Sequence, residues 1–361
     1  MAIKNSGMLK ILITGGAGFV GSSLALQLKK RYSDIEIIAF DNLKRRGSEL
    51  NLADLAKNGI PFIHGDIRNA EDLDAVGSFD VLIEASAEPS VMAGLDSNPT
   101  YVINNNLYGS INCFNICLRN QAKLIFLSTS RVYPIEKIER ANFIERETRF
   151  DFDGQQAQAG LSENGISEQL SLDGARSFYG TTKLASELFI QEYAAFYGLK
   201  AAITRFGVIA GPRQMGKTDQ GVVTLWMAKH FWKQSLKYIG YGGTGKQVRD
   251  ILHIDDLVDL VDMQIHHIEK FEGRIFNAGG GLENSASLQE MTHICESITG
   301  NKIEIASETE TRPADLRSYI TDNTFITAET GWKPSRSVET VFIDIFEWIS
   351  ANEKQLEPIL K

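Results

Sequence analysis

At 361 residues and 43% hydrophobic content, the chain can bury a sizeable core in one large or two unequal domains. Its 46 acidic and 37 basic side chains leave a formal net charge of −9, which argues against sequence-independent nucleic-acid binding, since that needs a dense basic surface. No stretch has the length and apolarity of a spanning helix, and residues 1–10 lack the apolar centre of a secretion signal, so a cytoplasmic protein with no membrane partner is expected.

The first element is an apolar run, Leu9, Ile11, Leu12 and Ile13, suited to a buried parallel strand. It leads straight into Gly15, Gly18 and Gly21, spaced G-x-x-G-x-x-G. Gly15 permits a tight turn, Gly18 lets phosphates approach the N-terminus of the next helix, and Gly21 is expected to let that helix pack on the sheet. Strand, loop and helix in this order predict a dinucleotide site, with Phe19 and Val20 where the helix begins. The helix should run to about residue 31, and a second strand over 36–40 ends at Asp41, twenty residues beyond Gly21. A carboxylate there can accept both ribose hydroxyls and repel a 2′-phosphate, so NAD is expected over NADP. The alternative role for Asp41 is to cap a turn with Asn42; Lys44 to Arg46 would soften the NAD preference by lying near the phosphate.

A third strand over 61–64 has Asp66 and Ile67 at its exit, at the height of an adenine. After a fourth over 81–85, the small residues Ala85, Ser86 and Ala87 would admit ribose and nicotinamide. A helix over 101–119 carries Asn106, Cys113 and Cys117, and a fifth strand over 123–127 follows. The odd cysteine count, with Cys295 as the third, predicts buried free thiols. The scattered histidines lack ligand spacing, so no metal site is expected. Strands alternating with helices predict an α/β protein with a Rossmann-type doubly wound parallel sheet and a site at the strands' carboxyl ends.

The fifth strand runs into Ser128, Thr129 and Ser130, which puts hydroxyls at that end. In a predicted helix over 178–189, Tyr179 and Lys183 are four apart and share a face. A neighbouring ammonium and a cationic nicotinamide stabilise a phenolate, bringing the phenol toward use as a base, while Thr129 would hold the same substrate oxygen. The polar stretch 135–177 breaks the alternation and is expected to be a loop near the substrate, a disordered surface insert being the alternative. A sixth strand over 201–206 closes a cofactor domain of residues 1–206. Residues 207–361 should form mainly a smaller C-terminal substrate-binding lobe, part of which may return to the sheet. Arg213, Arg249 and Arg312 stand in loop-like settings, where some could converge on an anionic substrate because guanidinium forks suit diphosphates.

Taken together, the 14–21 glycine segment, Asp41, Thr129, Tyr179-x-x-x-Lys183, Gly211-Pro212-Arg213-Gln214, Arg249-Asp250 and Arg312-Pro313-Ala314-Asp315 resemble the extended short-chain dehydrogenase/reductases that act on nucleotide sugars. The resemblance covers nearly the whole chain. It implies a Thr129, Tyr179 and Lys183 catalytic set, a C-terminal lobe gripping a nucleotide diphosphate sugar, and a homodimer or higher homo-oligomer through the helices near 101–119 and 179–197. Dehydratases of this family carry Asp-Glu straight after the catalytic threonine, and decarboxylases a glutamate two positions after it; Ser130 and Arg131 stand there instead. That leaves an epimerase or a ketoreductase. Segments 40–43, 64–69, 128–133, 245–250 and 276–280 are similar to members that invert C2 of a CDP-3,6-dideoxyhexose. Such members oxidise the sugar transiently to a keto sugar and reduce it from the opposite face. Val208, where 4-epimerases commonly have an asparagine, fits a different sugar pose. The rival from another class is a dinucleotide-sensing protein without chemistry.

Overall fold

The computed structural model describes residues 8–95, 98–217 and 220–361. The stretch read for a secretion signal therefore lies outside the described residues over 1–7. Among the described residues, seven parallel strands form the large sheet: β1 (Leu9–Thr14), β2 (Ile35–Asp41), β3 (Phe62–His64), β4 (Val81–Glu84), β5 (Lys123–Thr129), β6 (Ala201–Phe206) and β7 (Ile275–Ala278). Their order is β7-β6-β5-β4-β1-β2-β3, so the winding direction reverses between β1 and β4. A crevice opens at the carboxyl ends of strands at such a reversal.

The apolar run in β1 is continuous because both sheet faces are covered. Ile11 and Ile13 join Leu24, Ala25 and Leu28 of helix Phe19–Arg31 on one side. Leu12 joins Cys113, Phe114, Cys117 and Ile190 on the other. Burial of each such aliphatic side chain stabilises the fold by about 1.5–3 kcal/mol. Cys113, Cys117 and Cys295 are free and buried, and burial raises their thiols.

The helix predicted over 101–119 is divided: Thr100–Ile103, a π-helical turn at Asn104–Tyr108, then Gly109–Asn120. The wider turn carries Asn106, whose amide leaves the helix to hold both the N–H and the C=O of Glu88, at 2.7 and 2.9 Å. Helix Phe178–Tyr197 outruns its predicted end at 189 and stops on Gly198, whose φ of 70° admits the left-handed cap.

Beyond β6 the chain builds a four-stranded sheet around Val248–His253, flanked by Val208–Ala210 and Ser285–Ser287, with Ser318–Tyr319 also paired to it. Helices Val222–Phe231, Leu288–Thr299 and Val338–Ala351 cover it through Met227, Met291, Phe342 and Ile345. β7 lies within this second half of the chain yet pairs with β6 in the large sheet.

Residues 135–177 are ordered. They form helix Ile135–Glu139 and two small hairpins, Phe143–Glu145 with Phe150–Phe152 and Leu161–Ser162 with Gly165–Ile166. Ile138, Phe152, Leu161, Ile166 and Leu170 are buried with Val248, Leu316, Tyr319 and Ile320 of the second lobe. The segment is packed rather than a disordered insert, and it lines neither cavity described below. Its strands are two or three residues long, too short for alternation to register in the sequence. Among the described residues, no helix is long and apolar enough to cross a membrane.

Candidate active site

β1 ends at Thr14 and the chain turns at Gly15 with φ of 69°; a Cβ there would lie 2.7 Å from the carbonyl oxygen of Ala85. A Cβ at Gly21 would stand 2.1 Å from the carbonyl oxygen of Gly15. The loop's own backbone thus excludes a side chain at Gly21, rather than the sheet as the spacing suggested. Gly18 meets only that carbonyl, at 3.2 Å, and borders a cavity of about 480 Å³ with Gly15, Phe19, Val20, Asp41, Asn42 and Ile67. No side chain caps the N-terminus of helix Phe19–Arg31, and its first turn holds no acid. A glycine cradle beneath an uncapped helix N-terminus fits the pyrophosphate of a dinucleotide.

Asp41 holds the turn and also borders the cavity. Its carboxylate accepts from the backbone N–H of Leu43 at 2.8 Å and of Ala17 at 3.2 Å, and it also lines the cavity. Burial raises this carboxyl, and the amides of Leu43, Ala17, Gly18 and Asn42 oppose the rise. Asp66 is engaged elsewhere: Arg68 pairs with it at 2.6 Å, Asn42 donates to it at 3.0 Å, and Arg68 above all pulls the carboxyl down to about 2. Ile67, not Asp66, reaches the cavity wall. Asn106 stands behind that wall, fixing the backbone of Glu88, while Asn105 borders the space. Lys44 lies 3.9 Å over the ring of Tyr101 and Arg45 donates to Met215 at 2.8 Å, both at the cavity; Arg46 donates instead to Pro358.

A second cavity, about 670 Å³, shares the walls Phe19, Val20, Ala85, Ser86 and Ala87 with the first. Thr129, Arg131, Tyr179, Lys183, Arg249, Arg312 and Asp315 border it. Ser177 accepts from the N–H of Gly180 at 3.2 Å, a cap that puts Tyr179 in the first helical turn. A Cβ at Gly180 would lie 2.0 Å from the carbonyl oxygen of Arg131, so the turn after β5 rests directly on the helix start. That contact brings Thr129 and Tyr179 to the same wall of the cavity. Burial raises the Tyr179 phenol; Thr129 and then the Arg131 charge oppose the rise, while Glu84 and Glu88 add to it. One turn on, the Lys183 ammonium is 3.3 Å from the buried carboxylate of Glu84 and 3.9 Å over the ring of Phe126.

The three candidate arginines do not converge. Arg249 and Arg312 border the second cavity, with Arg249 paired to Asp315 at 2.7 Å. Arg213 borders the first, paired to Asp54 at 2.6 Å. A different arginine joins the second cavity: Arg131, whose Nη1 donates to the carbonyl oxygen of Ala314 at 3.1 Å. Burial and the nearby Arg249 charge lower its guanidinium to about 10.

Glu84 and Arg131 were not singled out as site residues from sequence, and neither was a buried network behind the site. Arg205 pairs with Glu187 at 2.7 Å and donates to the Tyr133 hydroxyl at 3.2 Å; that hydroxyl donates to Asn277 at 2.9 Å, and Ser128 donates to Glu187. The network fastens the helix of Tyr179 to β5, β6 and β7. Its signal was a lone arginine inside an apolar strand and a glutamate one turn past Lys183, opposite charges that burial forces to pair.

Residues 11–279 match the model of a family described as "NAD dependent epimerase/dehydratase family". The chain is 31% identical to CDP-paratose 2-epimerase of Salmonella typhi over 351 residues, 95% of this chain and all of that one. It is 27% identical to a putative UDP-glucose 4-epimerase of Methanocaldococcus jannaschii, across 95% of this chain and 99% of the other. Among solved structures, Pal from Bacillus thuringiensis superposes with a TM-score of 0.76 at 27% identity, covering 95% of this chain and 99% of that one. With the glycine cradle, Asp41 and two adjoining cavities at the strand ends, this chain belongs to the NAD-dependent epimerase/dehydratase family and is an NAD-dependent enzyme.

Proposed function

We propose that this protein epimerises a nucleotide-diphosphate sugar, and that it inverts C2 of a CDP-activated 3,6-dideoxyhexose. The observation that carries the proposal is Thr129 and Tyr179 on one wall of a cavity that shares lining residues with the dinucleotide cleft, with Ser130 and Arg131 where dehydration would need carboxylates. Similarity to CDP-paratose 2-epimerase over the full length of that enzyme supports the sugar and the carbon. NAD, held by Gly15, Gly18, Phe19, Val20, Asp41, Ile67 and the Ala85 to Ala87 segment, supplies a reversible hydride acceptor.

Tyr179 takes the proton from the sugar hydroxyl when the ring carbon is oxidised and returns it when the keto sugar is reduced. Thr129 holds the same oxygen, keeping it within reach of the phenol. Lys183 is proposed to hold the cofactor's ribose. Arg249 and Arg312 offer guanidinium forks to the diphosphate, at the end of the cavity formed by the second lobe. Arg213, set apart with Asp54, belongs to the cofactor side in this reading. The second lobe would then serve as the sugar-nucleotide half of the enzyme.

The test is a reaction in heavy water. Thr129 and Tyr179 handle oxygen-bound protons only, so a CDP-3,6-dideoxyhexose should invert at C2 with no deuterium on carbon, read by NMR. Deuterium at C2 would overturn the mechanism. Inversion at C4 would replace the assigned carbon, the outcome favoured by the similarity to a putative UDP-glucose 4-epimerase. Stoichiometric consumption of reduced cofactor would make the protein a ketoreductase.

The proposal includes a homodimer. Tyr108, Leu188, Phe189, Phe196 and Tyr197 are exposed apolar side chains on the adjoining turn Asn104–Tyr108 and helix Phe178–Tyr197, a face suited to a second copy.

A further inference from the structure

Arg312 and Asp315 border the second cavity from a short loop that contains one strained residue. Ala314, between them, has φ of 62°, a left-handed conformation that a non-glycine residue keeps only where its surroundings enforce it. Part of that enforcement comes from the cavity side: Arg131 donates to the carbonyl oxygen of Ala314 at 3.1 Å, and Arg249 pairs with Asp315 at 2.7 Å. The rest comes from the two ends of the loop. Thr311 accepts from the backbone N–H of Tyr241 at 3.0 Å. At the other end the guanidinium of Arg317 lies over three rings, 5.0 Å from the centroid of Phe143, 5.6 Å from that of Phe150 and 5.5 Å from that of Tyr241. Its backbone N–H donates to Glu139 at 2.6 Å, and its carbonyl oxygen accepts from Val248 at 3.0 Å. Glu139, Phe143 and Phe150 all belong to the segment 135–177, which lines neither cavity.

We propose that segment 135–177 braces the loop 311–316, and that Arg317 is the positioning residue through which it holds Arg312 and Asp315 at the cavity. The inference rests on the reading of Arg249 and Arg312 as the groups that grip a diphosphate. A cation among several rings is attracted by each, and a guanidinium also lies flat on them, so the cage fixes direction as well as place. The brace is itself anchored. Phe150 donates its N–H to the carbonyl oxygen of Lys246 at 3.0 Å, Thr148 donates to Glu290 at 2.8 Å and Arg149 to Ser285 at 2.6 Å. These bonds tie the hairpin of Phe143–Glu145 and Phe150–Phe152 to the second lobe at points outside the loop. Leu316, the residue before Arg317, is buried with Ile138, Phe152 and Leu161 of the same segment. The segment thus acts on the substrate cavity without bordering it: its rings hold Arg317, Arg317 holds the end of the loop, and the loop presents Arg312 and Asp315. Without the cage, the left-handed Ala314 would lose one of its supports and the loop would sample other forms. A diphosphate would then bind only the fraction of molecules with the loop in place, which lowers its apparent affinity.

The test compares wild type, Arg317→Met and Phe150→Leu, each as the full chain, by amide hydrogen exchange and by titration with CDP, UDP and NAD. Arg317→Met keeps the apolar stem and loses the cation. Its amides over residues 311–316 should exchange about tenfold faster without ligand, while those of β1 and of helix Phe19–Arg31 stay as in wild type. Phe150→Leu removes one ring of the cage from the segment's side and should shift the same amides in the same direction. Nucleoside diphosphate affinity should fall about tenfold in Arg317→Met with NAD affinity unchanged, a split that a general loss of stability would not give. Loop exchange unmoved in Arg317→Met overturns the proposal. So does a loop loosened in Arg317→Met and not in Phe150→Leu, because the segment would then be no part of the hold. A loosened loop with diphosphate affinity unchanged, or an equal fall in NAD affinity, overturns it too. Should Arg317→Met fail to fold, Phe150→Leu decides by the same readouts. If the loop loosens as stated and neither CDP nor UDP binds wild type, the reading of the arginines falls and the brace stands; diphosphate binding by wild type with exchange unmoved in both variants gives the reverse.

Discussion

Removing the Tyr179 hydroxyl leaves the ring in the first turn of its helix, under the Ser177 cap and beside Gly180. Tyr179→Phe is therefore expected to fold and to retain NAD, while turnover falls by roughly 10² to 10⁴, the usual worth of general acid–base work. Steady-state rates on the CDP-sugar check this, and a variant within threefold of wild type would remove Tyr179 from the chemistry. Asp41 makes a different kind of contribution, because the carboxylate both ties down Ala17 and Leu43 and faces the cavity. Asp41→Ala should weaken NAD more than NADP, since hydrogen bonds to one ribose and repulsion of the other's phosphate are lost together. Titrating both cofactors decides it: equal losses would assign Asp41 to the turn alone.

At the scale of elements, the glycine loop, the first six strands of the large sheet and the helix of Tyr179 were legible because each is marked locally, by continuous apolar runs, G-x-x-G-x-x-G, or the i, i+4 pair on one face. The segment 135–177 was not. Its polar composition hides six buried apolar side chains that meet only when the second lobe is in place, Phe152 among them at 4% exposure. Phe152 stacks on Phe143 across the hairpin with ring centroids 5.1 Å apart. Phe152→Ala should therefore cost about 3–5 kcal/mol, as for a core aromatic, and urea unfolding should reveal it as a lowered midpoint. A change below about 0.5 kcal/mol would return the segment to the surface. The π-helical turn escaped notice for a related reason: its Asn106 is held by the backbone of Glu88, 18 residues away.

For the whole molecule, the exposed face bearing Phe196 at 76% and Tyr197 at 70% predicts that wild type sediments as a dimer and that Phe196→Glu sediments as a monomer. A monomeric wild type would contradict the pairing. The sequence by itself determined the parallel α/β sheet, the glycine loop, the place of Asp41 at the end of β2 and the Thr129, Tyr179 and Lys183 constellation, because backbone periodicity and short fixed spacings are local properties of the chain. Tertiary structure alone decided which charges those groups meet. Arg213 parts from Arg249 and Arg312 because one borders the cavity at the glycine loop and the others the cavity at Tyr179. Lys183 meets Glu84 from a strand 99 residues earlier, and Arg131 joins Arg249 and Asp315 from the second lobe. Electrostatic partners depend on distance in space and on the solvent excluded between them, and neither quantity is carried by separation along the chain.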